Sequence, residues 1–117
     1  MKKLHESDLL QAFVYTGAAD AIAYPGTALI NRSGAVDACT LATPTPGTDD
    51  GKVIRIVNGA AYANKVTTAA NKINDGTSST KDTITFAAYA GASIKLMAYN
   101  GMWYVIAKGG DVWANDW

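Results

Sequence analysis

Few side chains in this sequence could carry out covalent or metal chemistry. The chain of 117 residues contains one histidine, His5, and one cysteine, Cys39. A Ser-His-Asp or Cys-His arrangement, as in a small hydrolase, would have to use His5, whose only close acidic neighbours in sequence are Glu6 and Asp8. A zinc site needs several Cys or His ligands. The sequence therefore predicts neither site, and Cys39 is expected to pack as a small buried hydrophobe.

Two Asp-Gly segments and one Gly-Gly pair are the candidates for a cation or phosphate site, and all three lie where turns are expected. Asp49-Asp50-Gly51 and Asn74-Asp75-Gly76 lack the spacing of a calcium loop and are typical of turns. Gly109-Gly110 lacks the strand-to-helix setting of a phosphate loop. We therefore predict that the protein is not an enzyme and has no catalytic residue, metal or cofactor.

Charge and composition exclude further classes. The chain has 10 basic and 10 acidic residues, and its formal net charge is zero. This balance disfavours non-specific nucleic-acid binding and polybasic membrane attachment. Charged residues make up 17% of the chain, below the usual ~25% of soluble domains, and a weakly charged surface is poorly protected against association. Met1-Lys-Lys is followed at once by charged residues, so no signal peptide is expected.

Residues Ser93 to Lys108 are predicted to form a β-hairpin closed by Asn100-Gly101. Asn-Gly best tolerates the positive φ angles of a type I′ turn. The expected cross-strand pairs are Tyr99 with Met102, Ala98 with Trp103, Leu96 with Val105, and Ile94 with Ala107. Because side chains alternate along a strand, the predicted core face carries Ile94, Leu96, Ala98, Trp103, Val105 and Ala107.

The opposite face of this hairpin is unusually apolar for a surface that meets water. It carries Lys95, Met97, Tyr99, Met102, Tyr104 and Ile106. A second layer or a partner chain could cover it. We therefore predict a subunit interface at Tyr99, Tyr104, Met97 and Met102.

Regular turn signals divide the rest of the chain into short strands. Apolar runs such as Lys52–Val57 and Thr83–Phe86 lie between segments rich in Gly, Pro and Asn. Asn58-Gly59 is interpreted as the turn of a second hairpin, and residues 71–80 as a loop. This pattern predicts an all-β fold, a small antiparallel β-sandwich or barrel built from hairpins.

The two ends of the chain differ from this β domain. We predict an N-terminal arm or short helix over residues 1–16, a β domain over 17–108 and an extended C-terminal tail over 109–117. Large apolar side chains at both ends are candidates for contact with a partner, because such side chains dominate interface energetics. The predicted contact residues are Leu9, Leu10, Phe13, Trp113 and Trp117.

Three features together resemble a known module. They are the Pro/Gly-Asp-Gly turn entering a strand in Leu41–Ile56, the Thr/Asn/Gly-rich loop that follows, and the Tyr-Asn-Gly-x-Trp-Tyr hairpin in Gly91–Val105. Across residues 35–108 the chain is similar to a β module of tailed-bacteriophage virion proteins. These include small head decoration (cement) proteins and related head-fibre and tail-associated domains.

The resemblance implies a function in the virion. It implies a non-enzymatic β-rich protein without a cofactor that sits on a capsid or tail, commonly as a homo-oligomer. Our first hypothesis is a capsid decoration protein that binds the outside of the head and stabilises it. Its partners would be the major capsid protein and copies of itself, with a trimer preferred over a dimer on family grounds. Its location would be the capsid surface, after assembly in the host cytoplasm, with no nucleic acid or membrane bound.

A second hypothesis is a fibre or tail module that binds a host-surface glycan. Aromatic rings stack on the apolar faces of sugars, and amides bind sugar hydroxyls. Asn64 or Asn100 would supply the amides. The rings would come from Tyr62, Tyr89, Tyr99, Trp103 and Tyr104.

Overall fold

Ten β-strands form the fold, and no helix occurs in the part of the chain that the structure describes. The computed structural model describes residues 12–15, 21–31, 39–110 and 112–115. The all-β prediction is confirmed. The strands are β1 (Ala12–Tyr15), β2 (Gly26–Ile30), β3 (Cys39–Thr40), β4 (Val53–Asn58), β5 (Lys65–Thr67), β6 (Ile73–Asn74), β7 (Thr83–Phe86), β8 (Ser93–Tyr99), β9 (Met102–Gly109) and β10 (Val112–Asn115).

The strands form two mixed sheets. A six-stranded sheet has the order β1-β2-β4-β8-β9-β6, and a four-stranded sheet has the order β10-β7-β5-β3. The prediction of antiparallel sheets was wrong, because β1–β2, β2–β4, β3–β5 and β6–β9 pair in parallel. Parallel neighbours need a crossover connection. Between β2 and β4 the chain makes this crossover through β3 in the other sheet.

Both sheets contribute to one hydrophobic core, an arrangement consistent with a β-sandwich. Alternate residues of β4 and β8 are fully buried, as the period-2 pattern predicts. Trp103 and Cys39 are buried as predicted, and Leu41 is buried as well. The largest buried side chains are Trp103, Phe86, Ile30, Leu41, Ile54, Ile56, Ile73, Ile84, Ile94 and Leu96.

The β8–β9 hairpin has the predicted turn but only part of the predicted register. Asn100 and Gly101 have φ angles of 50° and 79°, and the predicted pairs hold from Tyr99 with Met102 to Leu96 with Val105.

Beyond that pair the register shifts by one residue. A β-bulge places one extra residue in β9, so Ile94 pairs with Lys108 and not with Ala107. An extra residue reverses which face the following side chains occupy. Ala107 is therefore exposed, and its assignment to the core was wrong.

The Asn58-Gly59 pair does not close a hairpin. The strands on either side of it, β4 and β5, belong to different sheets. Asn58 is fully buried. Its backbone is bonded to the segment before β8, with Asn58 N–H donating to the Ala92 carbonyl at 2.7 Å and Gly91 N–H donating to the Asn58 carbonyl at 2.7 Å.

The described parts of the two ends belong to the sheets. β1 pairs in parallel with β2, with Phe13 opposite Ala28, and β10 pairs with β7, with Trp113 opposite Thr85. The predicted boundaries of the arm, domain and tail stay predictions. Within the predicted loop 71–80, Ile73–Asn74 forms the edge strand β6, which sequence analysis missed.

Candidate binding face

One surface of the six-stranded sheet points away from the core. Its side chains alternate with the buried residues of β4, β8 and β9. We call it the outer face. It carries Val53, Arg55, Val57, Ser93, Lys95, Met97, Tyr99, Met102 and Tyr104.

The half of the outer face beside the hairpin turn is apolar and aromatic. Val53, Met97 and Tyr104 lie side by side on three neighbouring strands, and Tyr99 lies opposite Met102 in the next row. The Tyr99 and Tyr104 rings are 6.3 Å apart between centroids, and Tyr99 is 54% exposed. The structure thus places all four residues predicted for a subunit interface together on one surface, which we call the apolar half.

The other half of the outer face is basic. Arg55 lies directly opposite Lys95 in the β4–β8 pair, and neither side chain forms an ion pair among the described residues. Like charges in this arrangement destabilise a sheet. No Asp or Glu occurs in any of the six strands of this sheet.

Sequence analysis missed this basic half. The register of β4 against β8 creates it, and the two strands are separated by 34 residues from Asn58 to Ser93 in sequence. The sequence contained one signal for the basic half, the absence of acidic residues from these strands. The zero net charge of the whole chain hides this local excess of positive charge.

The β-bulge creates a depression in the basic half. Because of the one-residue shift, Ala107 lies opposite Lys95 and Gly109 lies opposite Ser93. With regular pairing, the larger side chains of Ile106 and Lys108 would occupy those positions. The result is a concavity of about 320 Å³. Its lining includes Arg55, Lys95, Lys108, Gly91, Ser93 and Gly109.

Asp49 anchors the loop that supports the hairpin turn. Its carboxylate accepts hydrogen bonds from the Thr45 amide at 2.7 Å, Lys52 Nζ at 2.8 Å and the Tyr24 hydroxyl at 3.3 Å. The hydrogen bond from Lys52, followed by that from Thr45, lowers the pKa of Asp49. Asp50 accepts from the Asn100 amide at 2.8 Å. Both carboxylates are therefore occupied by protein donors.

Asp75 has a similar structural role in its turn. Burial pushes its pKa up, but hydrogen bonds from the Thr77 hydroxyl and amide and the charge of Lys81 outweigh burial, so the pKa is lowered. The Thr77 hydroxyl lies 2.6 Å from the Asp75 carboxylate. Among the described residues, no group of three His, Cys, Asp or Glu side chains could hold a metal ion.

The proposed aromatic platform for sugars does not form as one surface. Trp103 is fully buried, its indole N–H donates to the Ala42 carbonyl at 3.0 Å, and its ring meets Tyr24 edge to face. Asn64 is also buried, and its amide donates to Asn58 Oδ1 at 2.8 Å. The inclusion of Trp103 and Asn64 in a sugar site was wrong.

Two of the remaining tyrosines lie in loops at the end of β4 and β8 that is opposite to the hairpin turn. Tyr62 is 44% exposed and Tyr89 is 72% exposed. Asn58 Nδ2 brings their loops together by donating to the Tyr62 carbonyl at 2.8 Å and the Tyr89 carbonyl at 3.3 Å. Tyr62 and Tyr89 therefore lie on neighbouring loops at the opposite end of these strands from Tyr99 and Tyr104.

The predicted contact residues at the ends are only partly placed. The backbones of Phe13 and Trp113 lie in β1 and β10. Leu9, Leu10 and Trp117 lie outside the described residues. No helix in the described ranges is long and apolar enough to cross a membrane.

Comparison with known proteins assigns this chain to no family. No protein-family model matches it, and no curated protein matches it. Its function is therefore proposed from the residues and geometry of the outer face and from the resemblance of its motifs.

Proposed function

We propose that this chain is a structural protein of a bacteriophage virion, a decoration protein that binds the outside of the capsid and stabilises it. The observation that carries the proposal is the apolar half of the outer face, where Met97, Tyr99, Met102 and Tyr104 are left partly uncovered in a single chain. The resemblance to virion β modules supplies the biological setting.

The composition of this surface supports a protein partner. Tyr, Met and Arg are enriched in protein interfaces, whereas Asp and Glu are depleted at their centres. Complete burial of an exposed large apolar side chain contributes roughly 1.5–3 kcal/mol by transfer of apolar area from water, and each of these partly covered side chains contributes a share of that. Two tyrosines and two methionines in contact can therefore supply the central cluster that a specific interface needs.

Stabilisation of the capsid would follow from mass action. A ligand that binds the assembled shell but not its dissociated subunits shifts the equilibrium toward the shell. The protein contributes no chemical step in this scheme. It contributes contact area across neighbouring capsid subunits, from the outer face and from the chain ends that carry Leu9, Leu10, Phe13, Trp113 and Trp117.

The partners in this proposal are the major capsid protein and further copies of this chain, with a trimer preferred over a dimer. Closed symmetry is usual for homo-oligomers. Sedimentation equilibrium of the purified protein measures the copy number, and a monomer at micromolar concentration would contradict self-association before capsid binding.

Rebinding to undecorated phage heads tests the proposed function. The purified protein should bind the heads and raise their melting temperature. Tyr99→Ala combined with Tyr104→Ala should remove most of this binding, whereas Tyr62→Ala removes an exposed tyrosine at the other end and should leave it unchanged. If the unmodified protein does not bind undecorated heads, the proposal is refuted.

Separate variants test the chain ends. Leu9→Ala with Leu10→Ala, and Trp117→Ala, change residues that are not part of β1 or β10. Weaker head binding by either variant supports contact through that end. Unchanged binding by both restricts the interface to the outer face.

A second candidate, a fibre or tail module that binds host-surface glycan, is favoured by the exposure of Tyr62 and Tyr89 on neighbouring loops. Two exposed rings held on loops that converge on one buried amide could stack on a saccharide. A glycan array and a cell-adsorption assay test this candidate. It predicts that Tyr89→Ala abolishes adsorption while Tyr99→Ala does not, the reverse of the pattern for a decoration protein.

A further inference from the structure

We propose that the depression in the basic half binds the carboxylate side chains of an acidic segment on the protein that covers the apolar half. This inference rests on the proposed function, because it takes the outer face to be a protein-binding surface. It adds the charge and location of the segment that the partner must present.

The depression has small residues at its base and positively charged side chains at its edge. Ala107 and Gly109 stand where regular pairing would place Ile106 and Lys108. Arg55 and Lys95 border the concavity of about 320 Å³. A carboxylate above this base could therefore approach both cations at once, and a guanidinium accepts such a group in a two-pronged geometry.

Within the part of the chain that the structure describes, no carboxylate balances the charges of this site. The register holds Arg55 against Lys95, and the six strands of the sheet contain no acidic residue. The ion pairs that the described residues do form, Lys52 with Asp49 and Lys81 with Asp75, lie outside the depression. A bound anion would relieve the repulsion between Arg55 and Lys95.

The same distribution of charge indicates which type of partner binds in the depression. Another copy of the outer face cannot neutralise these cations, because the strands that form it have no carboxylate. Nucleic acid is also disfavoured, since three cations on a chain of zero net charge make few phosphate contacts. The apolar half continues directly from the basic half, and this combination fits a protein segment that carries carboxylates beside apolar residues.

Titration with a hexaglutamate peptide, followed by two-dimensional NMR at low salt, tests the site directly. The amide signals of Gly91, Ser93 and Gly109 should shift. Raising the salt concentration tenfold should weaken binding by roughly tenfold, because partly exposed charges are screened. Absence of binding, or shifts confined to other residues, would overturn the inference.

Matched charge variants and competing anions complete the test. Arg55→Gln and Lys95→Gln should each weaken hexaglutamate binding by about two- to fivefold, whereas Lys72→Gln removes one positive charge outside the depression and should not. Inorganic phosphate, a sulfated saccharide or an oligothymidylate that binds there more tightly than hexaglutamate would refute the choice of a carboxylate segment.

Lys95→Glu separates a binding role from a structural one. It places opposite charges across the β4–β8 pair, so the Tm of the isolated protein should rise by about 1–4 °C. Hexaglutamate binding should be lost in the same variant. A lower Tm together with retained binding would show that Lys95 serves the fold alone.

Undecorated heads distinguish failure of this inference from failure of the proposed function. If the protein binds heads, and Lys95→Glu binds them equally well, the acidic segment is refuted while the decoration role stands. If the protein ignores heads but binds hexaglutamate in the depression, the decoration role is refuted and the carboxylate site remains.

Discussion

One Asn-Gly pair lies at the end of β4 and another at the end of β8, and the two pairs have different structural roles. Asn100-Gly101 is a tight hairpin turn with positive φ at both residues, and Asn100 is exposed. Asn58-Gly59 has no positive φ at either residue, and Asn58 is fully buried at the crossing from one sheet to the other. One pair uses the backbone freedom of Asn-Gly, whereas the other uses the side-chain amide.

The difference shows that a turn motif takes its meaning from the residues that follow it. After Gly101 the chain continues as Met102-Trp103-Tyr104-Val105, which alternates and favours a strand. After Gly59 it continues as Ala60-Ala61-Tyr62-Ala63, which has no such alternation. Buried carbonyl groups need donors, and Asn58 supplies them to the Tyr62 and Ala87 carbonyls at 2.8 and 3.0 Å.

The largest expected effect is at Asn58. Asn58→Ala leaves buried carbonyls and the Asn64 amide without this partner, so we expect a loss of about 3 kcal/mol in the free energy of unfolding. Asn100→Ala, in the exposed turn, should cost about 1 kcal/mol. Urea unfolding followed by tryptophan fluorescence measures both. Equal losses would remove the distinction between the two pairs.

For the two glycines, the larger loss of stability is expected in the hairpin turn, whereas for the two asparagines it is expected at the buried pair. Gly101 has a φ of 79°, so Gly101→Ala should cost about 1–2 kcal/mol through backbone strain. A Cβ at Gly59 would lie 2.9 Å from Leu29 Cδ1, a half-buried side chain that can shift, so Gly59→Ala should cost less than about 1 kcal/mol.

The double variant Leu29→Ala with Gly59→Ala supplies the control. The Leu29 change removes the atoms nearest the added Cβ, so the Gly59→Ala cost measured in that background should fall. An undiminished cost would place the strain in the backbone at Gly59 and contradict a side-chain clash.

The two ends of the sheet should also respond differently to acid. Amides hold the Asn58 end, whereas the turn end depends on Asp49, whose pKa is lowered by Lys52 and Thr45. A lowered folded-state pKa stabilises the protein above the ordinary aspartate value of 3.8, and this contribution is lost as the pH falls through the folded-state pKa.

Unfolding measured from pH 6 to roughly pH 2 detects this loss, which lies in the range typical of paired carboxylates. Asp49→Asn should make the acid limb less steep and leave the part that is due to Asp75, whose pKa is also lowered, whereas Asn58→Ala should lower stability by the same amount at every pH. An acid limb that is equally steep in Asp49→Asn would assign the sensitivity to other carboxylates.

The smallest expected effect belongs to Asp50. Its hydrogen bond to the Asn100 amide is exposed, so Asp50→Asn should change the free energy of unfolding by no more than about 0.5 kcal/mol. The same urea titrations measure it. A larger loss would mean that the hairpin turn depends on this loop more than its own backbone geometry implies.

Local patterns predicted much of this fold. Alternation in β8 correctly identified Ile94, Leu96 and Ala98 as residues that reach the core, and Asn100-Gly101 set the first four pairs of the hairpin. The parallel pairing of β2 with β4 could not be predicted from local patterns, because the same alternation suits either direction. The bulge was also missed, since one extra residue in β9 changes no composition or periodicity that a short window can detect.

The candidate site was predicted in the same uneven way. Met97, Tyr99, Met102 and Tyr104 follow from one hairpin, so local register was enough to place them on one surface. Arg55 and Lys95 meet only when β4 pairs with β8, and the depression beside them needs the bulge as well. Features that depend on two distant strands required the structure.

The bulge in β9 also has an evolutionary consequence. The depression exists because of one supernumerary residue, so deletion of a single codon near Ile106 would close it while the turn and most of the core remain. Insertion of one codon could open it again. A lineage could therefore change which partner the outer face accepts in one mutational step, without rebuilding the protein around it.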